Sequence, residues 1–249
     1  MSGTLRLRLR AWKERQLYVP DAVGMLVNPF YFARRALVRG LAEFFPRLTG
    51  EVLDVGCGTR PYRRFIPAVR YVGMELDTPR ARASFHAEVY YDGRTFPFAD
   101  GSFDGVLCSQ VFEHVFTPGP FLDEIYRVLR PGGCLVLTVP FVWDEHEQPA
   151  DYARYSSFGL RAQLERAGFE VEMHRKTLGD ARVLFQLFNA YLYKVTLTRS
   201  PRFNLLLTVL LMAPVNLLGC CLGWILPANP DLYLDNIVQA RKRAGTGPG

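Results

Sequence analysis

The chain has 249 residues, 49% of them hydrophobic, with 30 Lys and Arg against 24 Asp and Glu for a net charge of +6. That length suits one large α/β domain, that apolar share argues against a disordered chain, and the basic excess points to nucleic acid, an anionic membrane face or an anionic substrate. Five cysteines with no Cys-x-x-Cys pair argue against a disulfide framework or a zinc knuckle, so a reduced, cytoplasmic compartment is the expectation.

Residues 1–50 read as a helical N-terminal cap. Its first stretch, MSGTLRLRLRAWKERQL, has charge but no continuous apolar run, so it does not read as a secretory signal. Arg6, Arg8, Arg10, Lys13 and Arg15 there form either a solvated face or one that meets anionic lipid. Residues 51–243 read as the main domain. Strand-like runs at 52–55, 71–76, 105–109 and 134–140 alternate with helical patterns, which predicts a Rossmann-like, doubly wound, mostly parallel α/β sheet. Thr117 is placed to cap a helix with Pro118 in its first turn. Phe121, Leu122, Ile125, Val128 and Leu129 make one stripe along it, and the Arg-Pro-Gly-Gly of 130–133 ends it. A further helix runs from about 157 to 168, followed by strands at 169–175 and 232–242, expected as an antiparallel edge pair.

Between those strands, 180–231 reads as an apolar helical insertion, with no charged residue from 203 to 230. As one straight helix, 203–227 could span the roughly 30 Å hydrocarbon core. A single span would part strand 232–242 from its sheet, and Pro214 and Asn216 interrupt the run. The expectation is therefore two short helices in a hairpin that dips into the cytoplasmic leaflet, with Arg199 and Arg202 at the headgroups. The alternative is packing on the domain or on a second subunit. The tail 244–249 reads as disorder.

The chemistry gathers around EVLDVGCGTRPYRRF, residues 51–65. A β-branched run climbs into Gly56 and Gly58, as a nucleotide-binding strand does, but Pro61 takes the slot of the third glycine that a dinucleotide pyrophosphate needs. A cofactor without phosphates asks only for close backbone approach and a nearby carboxylate. S-adenosylmethionine is such a cofactor, and Glu75, roughly 20 residues on, is placed to accept from both ribose hydroxyls. Cys57 has no adjacent His to activate it and reads as a small packing residue beside the cofactor.

VLDVGCGTRPY, YVGMELD, FPFADGSFDGVLCSQVFEHV and LDEIYRVLRPGGCLVLTVP, in this order and spacing, resemble the class I S-adenosylmethionine-dependent methyltransferases, most closely the methyltransferase type 11 group. The resemblance covers 51 to about 175. It implies that Asp54, Gly56, Cys57 and Gly58 form the cofactor loop and that Glu75 and Leu76 receive the ribose end. It further implies that Asp92 and Gly93 fall near the adenine, and that Ser109 and Gln110 line the floor. Arg60 departs from the commoner glycine there. Asp92 could instead cap a turn, and Glu113 and His114 either bind cofactor or substrate or orient the next loop.

Methyl transfer is an in-line displacement, so catalysis rests on alignment plus a base where the acceptor must lose a proton. The fourth-strand run SQVF is not the D/N-P-P-Y-like run of enzymes that methylate exocyclic base amines, and no Pro-Cys nucleophile appears, which argues against nucleic acid. PFVWDEHEQPADYARYSSFGL, 140–160, resembles an HE-x-P-x-D-Y-x-R-Y segment found in many bacterial methyltransferases, including members encoded with cell-surface polysaccharide genes. Its Trp143, Glu147, Asp151, Tyr152 and Arg154 are candidate acceptor contacts over the carboxyl ends of the strands. His146 is the first candidate for a general base and His114 the second. A salt-bridged loop, with Arg154 on Asp151 or Glu147, is the competing reading. One His-Glu pair gives no ground for expecting a metal. The expected acceptor is an oxygen nucleophile on a small, glycan-type or lipid-linked molecule. A hydrophobic ring such as a quinone precursor, or an inactive binding module at the membrane, are the alternatives. Oligomeric state is not legible.

Overall fold

The computed structural model describes residues 3–84 and 87–243. The tail 244–249, His86 and the side chain of Arg6 lie outside the described residues. In chain order the helices are α1 (Gly3–Tyr18), α2 (Gly24–Val27), α3 (Tyr31–Leu41), α4 (Pro79–Ser84), α5 (Pro118–Val128), α6 (Ser157–Arg166), α7 (Arg182–Thr196), α8 (Pro201–Leu207) and α9 (Ala213–Ile225). The strands are β1 (Gly50–Val55), β2 (Ala68–Leu76), β3 (Val89–Tyr91), β4 (Phe103–Ser109), β5 (Leu129–Pro140), β6 (Phe169–Lys176) and β7 (Asp235–Lys242).

These elements fall into two compact units: Met1–Arg39 with Val142–Asp144 and Lys176–Leu234, and Gly40–Phe141 with Glu145–Arg175 and the chain from Asp235. The expected boundaries shift accordingly. Residues 40–50 belong with the sheet, and the cap and the insertion form a single helical unit.

The sheet unit is Rossmann-like, with strand order β3-β2-β1-β4-β5-β7-β6. The β1–β2, β1–β4, β2–β3 and β4–β5 pairs are parallel, and β7 runs antiparallel to β5. The two late strands lie side by side at one edge of the sheet, as expected, with β6 outermost and β7 between β5 and β6. Burial explains the place: Asp235 to Ala240 are all buried, whereas β6 buries only Phe169 fully. A strand covered on both faces cannot sit at a solvated edge.

Leu53, Val55, Val106, Leu135, Leu137 and Val139 from the strands meet Phe121, Leu122, Ile125 and Val128 of α5 in one core. The expected stop of α5 at 130–133 is corrected. The strand begins at Leu129, because Phe103 of β4 pairs with it, and Arg-Pro-Gly-Gly is absorbed into β5. Thr117 makes no side-chain cap to α5, while Ser156 Oγ accepts from Gly159 N at 3.2 Å and caps α6.

The helical unit overturns the expected hairpin. Pro201 to Ile225 is one helix of 25 residues, α8 and α9 joined through a π-helical turn, Thr208–Met212. Pro214 sits in the first turn of α9, so the wider turn before it absorbs the missing donor and the ring, where a sharp reversal was expected. Asn216 is no turn residue. It is buried, accepts from Asn189 Nδ2 at 2.9 Å and donates to the carbonyl of Met25 at 2.8 Å. Gln186 of α7 donates to Pro29 O at 3.1 Å and accepts from Ala33 N at 3.0 Å. The Asn216 and Gln186 amides fix α7 and α9 to the N-terminal helices, since a buried polar group left without its partner costs about 1–3 kcal/mol.

Candidate functional site

The loop after β1 is shaped by two glycines with different jobs. Gly56 has φ +68°, and a Cβ there would lie 2.3 Å from Val111 Cγ2. Gly58 has φ +49°, and a Cβ there would meet no protein atom within 4 Å. Its N–H donates to Glu75 Oε2 at 2.9 Å, which brings the end of β2 against the loop. Asp54 is buried beneath and accepts from the Tyr71 hydroxyl. Burial pushes its carboxyl up to about 7, against the opposing pull of the Tyr71 bond. Cys57 is buried and its thiol is pushed up to about 12, so it packs and does not attack.

Arg60 explains how the loop tolerates a residue other than glycine. Its φ of +56° is left-handed, and its guanidinium turns away over β2 to pair with Glu88. Glu88 in turn accepts from Gly73 N at 2.7 Å. A Cβ on Gly73 would stand 2.9 Å from Arg60 Nε, so only glycine admits the arginine there. Gly73 and Glu88 were missed in the sequence, although a lone glycine inside a strand pattern signals close approach.

Leu76 is exposed at the end of β2, and a Cβ on Gly93 would lie 3.0 Å from its Cδ1. Asp92 Oδ1 accepts from the N–H groups of Arg94 at 2.9 Å and Thr95 at 3.2 Å, which hold the carboxyl below its usual range. That oxygen caps a turn, as the competing reading had it. Ser109 and Gln110 are both tied to Thr138 of β5, by hydroxyl contact at 2.9 Å and by Gln110 N to Thr138 O at 3.0 Å. Gln110 adopts φ +57° at this junction.

Beyond β4 the chain brings the two candidate histidines together, with ring centroids 4.8 Å apart. His114 Nδ1 lies 2.6 Å from Ala150 O, and His146 Nδ1 lies 3.3 Å from Asp151 Oδ2. Glu113 is buried beside them, its two carboxylate oxygens without a hydrogen bond from a neighbouring side chain but with Oε1 3.8 Å from His114 Nε2, and burial pushes it up to about 8. Ligand atoms of Glu113, His114 and His146 all fall within 4.8 Å of one another, a grouping the sequence did not lead us to expect.

The remaining candidates divide. Arg154 grips Asp151 through two bonds, at 2.6 and 2.7 Å, and Asp151 also accepts from His146 N at 2.9 Å. Arg154 holds the Asp151 carboxyl well below the usual range. Glu147 pairs with Arg80, so that loop is salt-bridged as the competing reading had it. Tyr152 is exposed beside Phe116, with ring centroids 5.2 Å apart. Trp143 belongs to the helical unit, where its ring lies 5.9 Å from that of Phe30.

Residues 53–137 match the family described as methyltransferase domain. Over 164 residues the chain is 31% identical to a Mycolicibacterium smegmatis protein named as an S-adenosylmethionine-dependent methyltransferase, covering 60% of this chain and 63% of that one. Residues 53–137 thus match a methyltransferase domain, and the chain around them is similar to an S-adenosylmethionine-dependent methyltransferase.

An uncharacterized methyltransferase of Mycolicibacterium gilvum is 42% identical over 101 residues, 37% of this chain and 39% of the relative. The chain thus spans less than two thirds of either curated relative. Among solved structures, the (4+2)-cyclase SpnF superposes with a TM-score of 0.55 at 22% identity, covering 84% of this chain and 82% of that one. That likeness speaks for the fold of the methyltransferase domain. The donor set fits the cofactor. A methyltransferase loop needs an acceptor for ribose hydroxyls and a glycine whose side the protein leaves open, and Glu75 and Gly58 have that chemistry.

Proposed function

We propose that the chain transfers a methyl group from S-adenosylmethionine to an oxygen nucleophile on a small, glycan-type or lipid-linked acceptor. The observation that carries this reading is the Gly58–Glu75 bond at the mouth of β1 and β2, with the His114–His146 pair after β4. Bound on that loop, S-adenosylmethionine supplies a methyl group made electrophilic by its sulfonium. Gly58 and Glu75 hold the ribose end, and Ser109 and Gln110 are fixed by Thr138 as a rigid floor. His146 takes the acceptor hydroxyl proton. Asp151 Oδ2 at 3.3 Å and Arg154 Nη2 at 3.5 Å both face its Nδ1 and together orient the ring. Five free cysteines support a reducing, cytoplasmic setting.

The exposed Phe116–Tyr152 pair favours a second reading, a hydrophobic ring acceptor such as a quinone precursor. Labelled methyl from S-adenosylmethionine, followed into the aqueous, butanol and hexane fractions of a cell extract, separates the two. Release of no S-adenosylhomocysteine with any fraction would leave a methyltransferase-fold binding module.

A further inference from the structure

We propose that the helical unit docks on an anionic phospholipid bilayer, laying the outer face of the helix Pro201–Ile225 in the plane of the headgroup–acyl boundary. This helix is long and apolar enough to cross a membrane, yet it is mostly exposed, unlike the core helix of a soluble protein. Asn204, Thr208, Met212, Asn216 and Gly219 form its inward stripe. On the opposite side Leu206, Leu210, Leu217 and Leu218 are exposed, and Trp224 is 93% exposed. At a 1.5 Å rise, 25 residues give roughly 37 Å of helix with an apolar outer face, far beyond the scattered apolar residues of an ordinary surface.

Charge selects the occupant. The helical unit holds 13 Lys and Arg against 5 Asp and Glu, a net +8, while the sheet unit holds 17 against 19, a net −2. The whole basic excess thus sits in the unit that bears the apolar face. Arg199 and Arg202 are exposed at the N-terminal end of the helix, and Arg8, Arg10, Lys13 and Arg15 line the exposed α1. A surface of that sign repels a second copy of itself and is drawn to anionic headgroups. Orientation follows from Asn216. Its bonds to Met25 and Asn189 hold the inner stripe against protein, so the helix lies on the bilayer and does not thread it.

The test is flotation of the full chain with phosphatidylcholine vesicles, with and without 30 mol% phosphatidylglycerol. The intact protein should float with the anionic vesicles. A combined Leu206→Glu, Leu210→Glu and Leu217→Glu variant should lose at least tenfold in partitioning while binding S-adenosylmethionine as before, which shows that it is folded. Arg199→Glu with Arg202→Glu should abolish the preference for phosphatidylglycerol. Brominated lipids should quench the Trp224 fraction of the fluorescence, identified by Trp224→Phe, from shallow and not from central bromine positions. An intact protein that ignores both vesicles, or a triple-Leu variant that floats like wild type, overturns the proposal. So does concentration-dependent dimerisation without lipid that the triple-Leu variant abolishes, because a second copy would then cover this face. Quenching from the bilayer centre replaces the in-plane helix with a span.

Discussion

Glu75 and Gly58 are joined by a 2.9 Å bond from the loop N–H to the carboxylate, so the side chain proposed to receive the ribose also sets the shape of the loop. Glu75→Ala should weaken S-adenosylmethionine binding at least about tenfold, since each charge-assisted hydrogen bond lost is worth roughly 1.5–3 kcal/mol. Glu75→Gln keeps one acceptor oxygen and should fall between. Titration calorimetry decides, and equal affinity in all three proteins removes Glu75 from the site.

The two loop glycines should fail differently. Gly56→Ala drives a Cβ to 2.3 Å from Val111 Cγ2 in a left-handed backbone, so it should lower stability by about 1–3 kcal/mol. Gly58→Ala meets no protein atom, so its thermal melt should fall less while cofactor affinity falls more. Melting curves and calorimetry on both variants check the contrast, and identical behaviour would deny the loop its division of labour.

Asp54 gives stability a pH dependence. Its carboxyl is raised to about 7 in the fold by burial, against roughly 3.9 when unfolded, so the folded state holds the proton more tightly. That contribution is complete below pH 4 and is lost as pH rises through about 7, with a slope near 1.4 kcal/mol per unit between them. Asp54→Asn should flatten that slope. Urea titrations at pH 5, 6 and 7 would show wild type losing ground to the variant step by step, and parallel curves would refute it.

His146→Ala should leave cofactor affinity unchanged and cut turnover by roughly 10²–10⁴-fold. His114→Ala should cost less, because its Nδ1 is held by the Ala150 carbonyl and the carboxyl 3.8 Å from its Nε2, that of Glu113, is buried and pushed up to about 8. Dialysis against a chelator should leave turnover intact. Loss of activity on chelation, restored by a divalent ion, would make Glu113, His114 and His146 ligands and remove the base.

Much of this was legible along the chain. The β1 loop, the stripe of α5 and the pairing of Arg154 with Asp151, one of the two partners expected for it, follow from local pattern, because each partner lies within a turn or a strand of the other. What was not legible depends on long-range burial. Which of the two late strands lies outermost shows only in their burial, six residues of β7 against one of β6. Gly73 looks like a weak strand residue until Arg60 is seen lying across it. Asn216 reads as a breaker because sequence alone cannot show that Asn189 and Met25 wait for its amide.

The π-helical turn at Thr208–Met212 has a consequence for how this chain tolerates length changes. A π-helical turn holds one residue more than the α-helical turn it replaces, so the flanking segments keep their phase across it. Removing a single residue there would let the turn close as ordinary α-helix, with Asn216 and Gly219 still facing inward. Removing one from the α-helical part that follows would instead swing everything after it by roughly 100°. A one-residue deletion within Thr208–Met212 should therefore lower the melting temperature less than one within Ala213–Ile225.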